Sequence, residues 1–256
     1  MLSNEQIERY SRQIILPQVG GRGQERLLGA ALGIIGADAM GCAAALYLAG
    51  AGAGKLTIID DRRIDAIDGI LQGRRHIGRN RAETAAAELD GLNPDCRITA
   101  VATPLSAALA RAVARDHDIV IDACGVPEVS LSLNAACLGQ RKPLIWGSVT
   151  GTLGEIAIFA GPWPDASCYQ CYRESPRSTP MTDHSAGAVG ALAADFIGAL
   201  QAAEAIKIIL GIETIGAGAL RQCDAEDMTV REITLSKNPQ CRSCGAESFR
   251  EGSTPC

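Results

Sequence analysis

Three positions around a glycine-punctuated turn, two acidic strand ends and two pairs of cysteines are the residues whose types and spacing could do chemistry. Gly36, Asp38 and Gly41 fall at GxGxxG spacing within LGIIGADAMGC, residues 32–42. A short apolar strand running through such a turn into a helix aims the helix's first N–H groups at whatever lies above the sheet, and phosphate is the usual occupant. The middle position is ordinarily glycine, so that backbone can approach phosphate; here Asp38 puts a carboxylate where the anion would sit. Asp60 closes KLTIID and Asp122 falls within DIVIDA, so two more apolar runs carry a carboxylate at or near their ends. Cys168 and Cys171 form CYQC, and Cys241 and Cys244 form CRSC. At CxxC spacing both thiolates of a pair reach one metal, and two pairs complete a tetrahedral site.

The elements that must position these groups follow from hydrophobic periodicity. Strands are expected at 32–36, 55–60, 97–101, 118–123 and 142–147, with helices at 41–50, 80–90, 106–115 and 128–139. Apolar strands alternating with helices predict an α/β fold, a doubly wound, mostly parallel Rossmann-like sheet. Its ligands bind beyond the carboxyl ends of the strands, where Gly36, Asp60 and Asp122 converge. After residue 150 the rhythm changes. Segments 151–160 and 228–235 read as antiparallel strands and possible neighbours, forming a C-terminal antiparallel extension with the four-cysteine zinc site. A short helix over 4–13 is expected from the capping-box spacing of Ser3 and Gln6 and from Ile7, Tyr10 and Ile14 at helical intervals. Arg9 and Arg12 lie on its polar face and read, from periodicity alone, as a solvated basic surface. The whole reads as one domain over 1–245, with an N-terminal helical arm (1–30), a nucleotide-binding-type half (31–150) and a zinc-bearing half (151–245), followed by a polar tail (246–256).

Charge and composition narrow the partners. A net charge of −5 without a basic run argues against nucleic acid. The polar N-terminus lacks the apolar core of a secretory signal, which predicts a cytoplasmic protein. The apolar stretch 189–210 carries Asp195, Gln201, Glu204 and Lys207, so it is expected to be a buried or dimer-interface helix and not a membrane span. Ten cysteines without a signal do not suggest a disulfide framework. Neither CxxC pair has a thioredoxin-like context, and four thiolates leave no open coordination position, so the zinc is expected to be structural. His76 and His117 read as surface residues, His184 as a loop residue, and Cys256 as incidental.

RYSRQIIL at 9–16, the 32–42 turn, KLTIID at 55–60, LQ at 71–72, both CxxC pairs and LQAAEAIKIILG at 200–211 together resemble the ThiF/MoeB/HesA family, bacterial relatives of the ubiquitin-activating enzymes. The resemblance implies a dimer that binds Mg-ATP and adenylates the C-terminal glycine of a ubiquitin-like sulfur-carrier protein. It implies that Arg12 reaches from one subunit into the other's ATP site, that Asp60 holds the ribose and that Gln72 belongs to the nucleotide site. Arg81 stands where the family has a phosphate-contacting lysine. Other positions depart from the family. Both middle glycines of the loop are lost, and the arginine after LQ is Gly73, with Arg74 or Arg75 as substitutes. The metal-binding aspartate falls at Gly125, and the 172–186 loop contains no cysteine.

An aspartate at position 38 is expected to bond the helix N–H groups as a built-in anion. At about 4 Å and an effective dielectric near 20 it would oppose each phosphate charge by about 4 kcal/mol. These changes together lead to the expectation of a degenerate adenylation site, with ATP/Mg doubtful as ligands, in a protein that engages a sulfur carrier alongside an active partner. The alternative is an active adenylyltransferase of a sulfur carrier, peptide or small acid. A third reading, an NAD-dependent oxidoreductase, fits the strand and turn but leaves the cysteine pairs without a role.

Overall fold

The computed structural model describes residues 1–66, 69–161, 163, 165–178 and 187–245, excluding the side chains of 187–189. Two short helices, α1 (Asn4–Arg9) and α2 (Ser11–Ile14), lead to α3 (Gly20–Gly29), β1 (Ala31–Ile35), α4 (Ala39–Ala51) and β2 (Lys55–Ile59). Then come α5 (Arg81–Leu89), β3 (Arg97–Val101), α6 (Ala107–Asp116), β4 (Ile119–Asp122), α7 (Pro127–Gln140) and the hairpin of β5 (Pro143–Thr150) and β6 (Leu153–Ala160). Helices α8 (Tyr169–Arg173) and α9 (Gly187–Leu210) and strands β7 (Ala219–Asp224) and β8 (Thr229–Thr234) follow among the described residues.

All eight strands form one sheet in the order β3-β2-β1-β4-β5-β6-β7-β8. The first five are parallel and the last three antiparallel. The strands flanking the centre are continuous apolar runs because helices cover both faces. Ile34, Ile58 and Ile121 are fully buried toward α4 and α9, while Val120, Leu144 and Trp146 pack on the α6–α7 side. Strand order reverses direction between β1 and β4, which opens a crevice above their carboxyl ends. Among the described residues no helix is long and apolar enough to cross a membrane.

The structure departs from the sequence reading in four places. The expected 4–13 helix breaks at Tyr10, whose backbone (φ −100°, ψ 14°) both caps α1 and starts α2. Helix α3 lies in the arm expected to be helical, but no helix was placed over 20–29; burial of Gln24 and Leu27 offsets the poor local propensity of its glycines. Strand β7 was missed as well, and it lies between β6 and β8, which therefore are not neighbours. His76 and His117 are buried: His117 spans the Val113 carbonyl and the Thr57 hydroxyl at 2.8 Å each. His184, Cys256 and the 246–256 tail lie outside the described residues.

Tyr10 pins the N-terminal arm to the body. Its ring is buried, and its hydroxyl donates to Asp95 Oδ2 at 2.9 Å and accepts from Asn93 Nδ2 at 2.9 Å. Asn93 in turn donates to the carbonyl of Ala49 near the end of α4 at 2.8 Å, and Arg9 ion-pairs with Asp95. Burial pushes the Tyr10 phenol up to about 12. Tyr10→Phe removes the hydroxyl shared by buried Asn93 and half-buried Asp95 and is expected to lower stability by about 1 kcal/mol in urea unfolding, with little change in secondary structure.

Candidate functional site

The turn after β1 is built by close backbone packing. A Cβ on Gly41 would lie 1.9 Å from the Gly36 carbonyl oxygen, so only glycine lets the first turn of α4 fold against the loop. Asp38 is the N-cap residue of α4, but its side chain makes no capping hydrogen bond. This corrects the expectation of a built-in anion on the helix N–H groups. The Asp38 carboxylate turns instead to Arg62, whose Nη2 lies 3.1 Å from Oδ2.

Arg62 also grips Asp60. Its Nη2 donates to Asp60 Oδ2 at 2.7 Å and its Nε to Oδ1 at 3.0 Å. The backbone N–H groups of Ala37 (2.8 Å to Oδ2) and Arg62 (2.9 Å to Oδ1) add two more bonds. Burial alone would raise the Asp60 carboxyl, but the guanidinium and the backbone donors more than reverse it and hold it below the usual range. For Asp38, burial outweighs the pull of Arg62 and the carboxyl is raised. The Arg62 guanidinium, bonded to Asp60 and near both carboxylates, is pushed further up and stays charged.

Gln72 and Arg81 reach the same turn from the far side. Gln72 Nε2 donates to the carbonyl of Ala37, and Arg81 Nη1 donates to Gln72 Oε1 at 3.3 Å. Buried Arg81 also ion-pairs with Asp65 at 3.0 Å, and its charge is felt at Asp38. The structure thus brings together Gly36, Asp38, Gly41, Asp60, Gln72 and Arg81. Arg75 does not stand in for the lost arginine at Gly73: it forks onto Glu88 at 2.8 and 2.9 Å.

Two expected residues fall elsewhere. Asp122 is fully buried and turned into the fold, accepting from the Ser130 hydroxyl and from the N–H (3.2 Å) and thiol (3.0 Å) of Cys124. Burial raises its carboxyl. It braces the loop after β4, and Cys124, which the sequence reading passed over, takes its place in the crevice wall. Arg12 is exposed on α2, at the end of α4 opposite the turn: neighbouring Gln13 lines a cavity with Gly50 and Ala51. The crevice cavity measures 110 Å³ and is bordered by Gly36, Asp60, Arg62, Leu105, Cys124 and Val126. Arg62 was also missed; its only signal was a cation two residues beyond a strand-end carboxylate.

The four cysteines form a second centre. Cys168 caps α8 and Cys171 lies within it, while Cys241 and Cys244 follow β8. All four are buried, and their sulfurs lie within 4.8 Å of one another. The separations are 3.9 Å (Cys168–Cys171), 3.7 Å (Cys168–Cys241) and 3.5 Å (Cys171–Cys244). Four thiolates at about 2.3 Å from a tetrahedral centre stand about 3.8 Å apart, whereas a disulfide needs about 2 Å. The cluster can hold a metal ion. The N–H of Asn238 donates to Cys171 Sγ at 3.4 Å, as expected around a thiolate ligand.

A glycine turn and strand-end carboxylate at the switch point of a doubly wound sheet, with a four-cysteine cluster able to hold a metal on an antiparallel extension, define a Rossmann-like α/β protein with a cysteine-bearing appendage. Residues 10–243 match the ThiF family pattern, and the chain belongs to that family. It is 37% identical over 251 residues to an adenylyltransferase and sulfurtransferase MOCS3 of Drosophila ananassae, covering 96% of this chain and 55% of that protein. The chain spans about half the length of the MOCS3 relatives. Against a sulfur carrier protein adenylyltransferase of Thermus thermophilus it is 34% identical over 253 residues, covering 96% and 93%. Among solved structures, E. coli MccB with ATP superposes with a TM-score of 0.77 at 20% identity, covering 93% of this chain and 73% of that one. PaaA gives 0.75 at 20% identity, covering 93% and 76%, so both show the fold.

Proposed function

We propose that this protein is an active ATP-dependent adenylyltransferase whose substrate is the C-terminal carboxylate of a sulfur-carrier-type protein. The observation that carries the reading is the Asp38–Arg62 pair. The charge expected to repel a triphosphate is matched by a guanidinium at 3.1 Å, and Asp38 leaves the helix N–H groups uncapped. That weakens one of the physical grounds for a degenerate site, and the names of the full-length and half-length relatives favour activity. In this reaction a carboxylate oxygen attacks the α-phosphorus, the bond to the bridging oxygen breaks, and pyrophosphate leaves. Asp60 holds the ribose, Gln72 fixes the loop, and Arg62, Arg81 and the α4 N-terminus receive phosphate charge. Gly125 has no side chain and the Asp122 carboxylate is turned inward onto Ser130 and Cys124, so neither offers a side-chain oxygen to Mg²⁺.

The protein acts as a dimer. The outer faces of α4 and α9 expose Tyr47, Leu192 and Phe196 beside a 610 Å³ cavity lined by Leu46, Leu92, Ala203 and Ile206, which suits a second copy. The cysteine cluster holds zinc, as its sulfur spacings suit, and the metal ties α8 to the segment after β8. Purified protein given ATP, labelled pyrophosphate and a sulfur carrier ending in Gly-Gly is expected to catalyse carrier-dependent exchange, abolished in Asp60→Ala. Background exchange by the chain alone, with activity appearing only on adding a second family member, would instead support the impaired-partner reading.

A further inference from the structure

We infer that Arg62 is a latch on the nucleotide site, which holds Asp60 closed until a phosphate-bearing ligand draws the guanidinium away, and so makes the site selective for nucleoside phosphates over bare nucleosides. The inference rests on Asp60 being the ribose acceptor in the proposed reaction.

The acceptor capacity of Asp60 is spent. An ionised carboxylate offers about four lone-pair sites, and four hydrogen bonds reach this one: two from backbone N–H groups and two from Arg62. A ribose hydroxyl can bond it only by displacing a donor. The backbone donors are fixed by the turn after β1 and the end of β2, so the Arg62 side chain is the group that must leave. That side chain is 44% exposed, unlike buried Arg81, so solvent can take its place once its bonds to Asp60 are exchanged.

The cavity volume points the same way. At 110 Å³ it is well below the roughly 300 Å³ of ordinary small-ligand pockets, and Arg62 forms part of its wall. Swinging Arg62 out both enlarges the cavity and frees two acceptor sites. Asp38 gives the departing guanidinium a second anchor on the loop side, since Nη2 already bonds it at 3.1 Å. A ligand with phosphates over that loop adds anionic acceptors for the released fork, whereas adenosine adds none. The positive charge is thus exchanged from one carboxylate to the phosphates and is never left buried alone.

The test is equilibrium binding of ATP and adenosine to the full chain, as wild type, Arg62→Ala and Arg62→Lys. Wild type is expected to bind ATP and to bind adenosine far more weakly. Arg62→Ala should move the two in opposite directions, adenosine tighter and ATP weaker, each by about tenfold, the scale of one charged hydrogen bond. Arg62→Lys cannot fork onto Asp60 and should tighten adenosine while keeping most of the ATP affinity. Misfolding lowers both affinities and cannot produce opposite shifts. Equal changes for the two ligands, no change in either, or no ATP binding by wild type would overturn the latch. Opposite shifts in a protein that shows no pyrophosphate exchange would leave the latch standing and defeat the adenylation reading instead.

Discussion

Replacing Cys241 and Cys244 together by serine is expected to abolish metal binding, taking zinc content by elemental analysis from about one ion per chain to near zero. The same variant should lose on the order of 10 °C in Tm. The reasoning begins with what the cluster connects. Cys168 and Cys171 sit at the start of α8, whose Tyr169 and Tyr172 pack with Trp146 and Phe159 in one aromatic cluster at centroid distances of 5.2–6.1 Å. Cys241 and Cys244 lie more than 60 residues further on, in a turn that a Cys241 carbonyl bond to Gly245 N–H closes locally. Little else among the described contacts joins this turn to α8, apart from Asn238 N–H on Cys171 and Arg242 against Glu174 at 3.5 Å, an exposed pair of small value. Without metal, four buried sulfurs crowd one another with no covalent bond between them.

Losing such a site belongs with the largest single-site effects, about 3–5 kcal/mol, which for a chain of this size is roughly 10 °C. Tyr169 and Tyr172 stay packed on Trp146 and Phe159, and the core between the sheet and α4, α5 and α9 does not touch the cluster, so circular dichroism is expected to keep most of its helical signal. A chelator should reproduce the shift in wild type and do nothing to the variant. An unchanged Tm with no zinc in the wild type would show that the four thiols are only a packed cluster.

How much was legible in the sequence depended on the range of the interaction involved. The inner parallel strands were readable because both faces are covered, which writes burial as an apolar run; β2, buried over Leu56–Ile59, falls within the expected 55–60. The CxxC pairs were readable because a metal demands fixed ligand types at fixed spacing. The bounds of helix α3 within the helical arm, and strand β7 altogether, were not, since GGRGQERLLG and ALRQCD have poor local patterns and owe their state to neighbours far along the chain. At the nucleotide site the residue types were visible and their partners were not. Asp38 announced a negative charge, but its neutralisation depends on β1 and β2 lying side by side, which brings Arg62 across 24 residues to meet it. Asp122 looked like a third strand-end ligand; the turn to Gly125, whose φ of 66° suits glycine, folds Cys124 and Ser130 over it.

Mixing two inactive variants is expected to restore activity if Arg12 acts across the dimer. Within one chain it has no route to the crevice. It neighbours Gln13 at the Gly50–Ala51 end of α4, and 13 residues of helix put that end about 20 Å from the turn where α4 begins. Tyr10, Asn93 and Asp95 anchor the arm there, so a swing of that length would have to break several hydrogen bonds. The same end carries exposed Tyr47 and the apolar-lined cavity of α4 and α9, the face proposed above for a second copy, so Arg12 can reach a crevice only if that copy presents its own there. Arg12→Ala alone should therefore cut carrier-dependent exchange by about 10²–10³-fold, as for loss of one charged group stabilising a transition state, while ATP affinity changes little. Asp60→Ala should be inactive through loss of nucleotide binding. Co-expressed, the two variants pair at random, and each mixed dimer holds one complete site: the Asp60-bearing crevice of one subunit and the Arg12 of the other. Exchange should recover to about a quarter of wild type, the fraction of intact sites in a random two-fold mixture. No recovery, with mixed dimers demonstrated by differential tags, would place Arg12 outside the reaction or in cis. Recovery fixes at once the two-fold arrangement, the trans role of Arg12 and the need for Asp60, because no other combination of those three rebuilds a site from two broken chains.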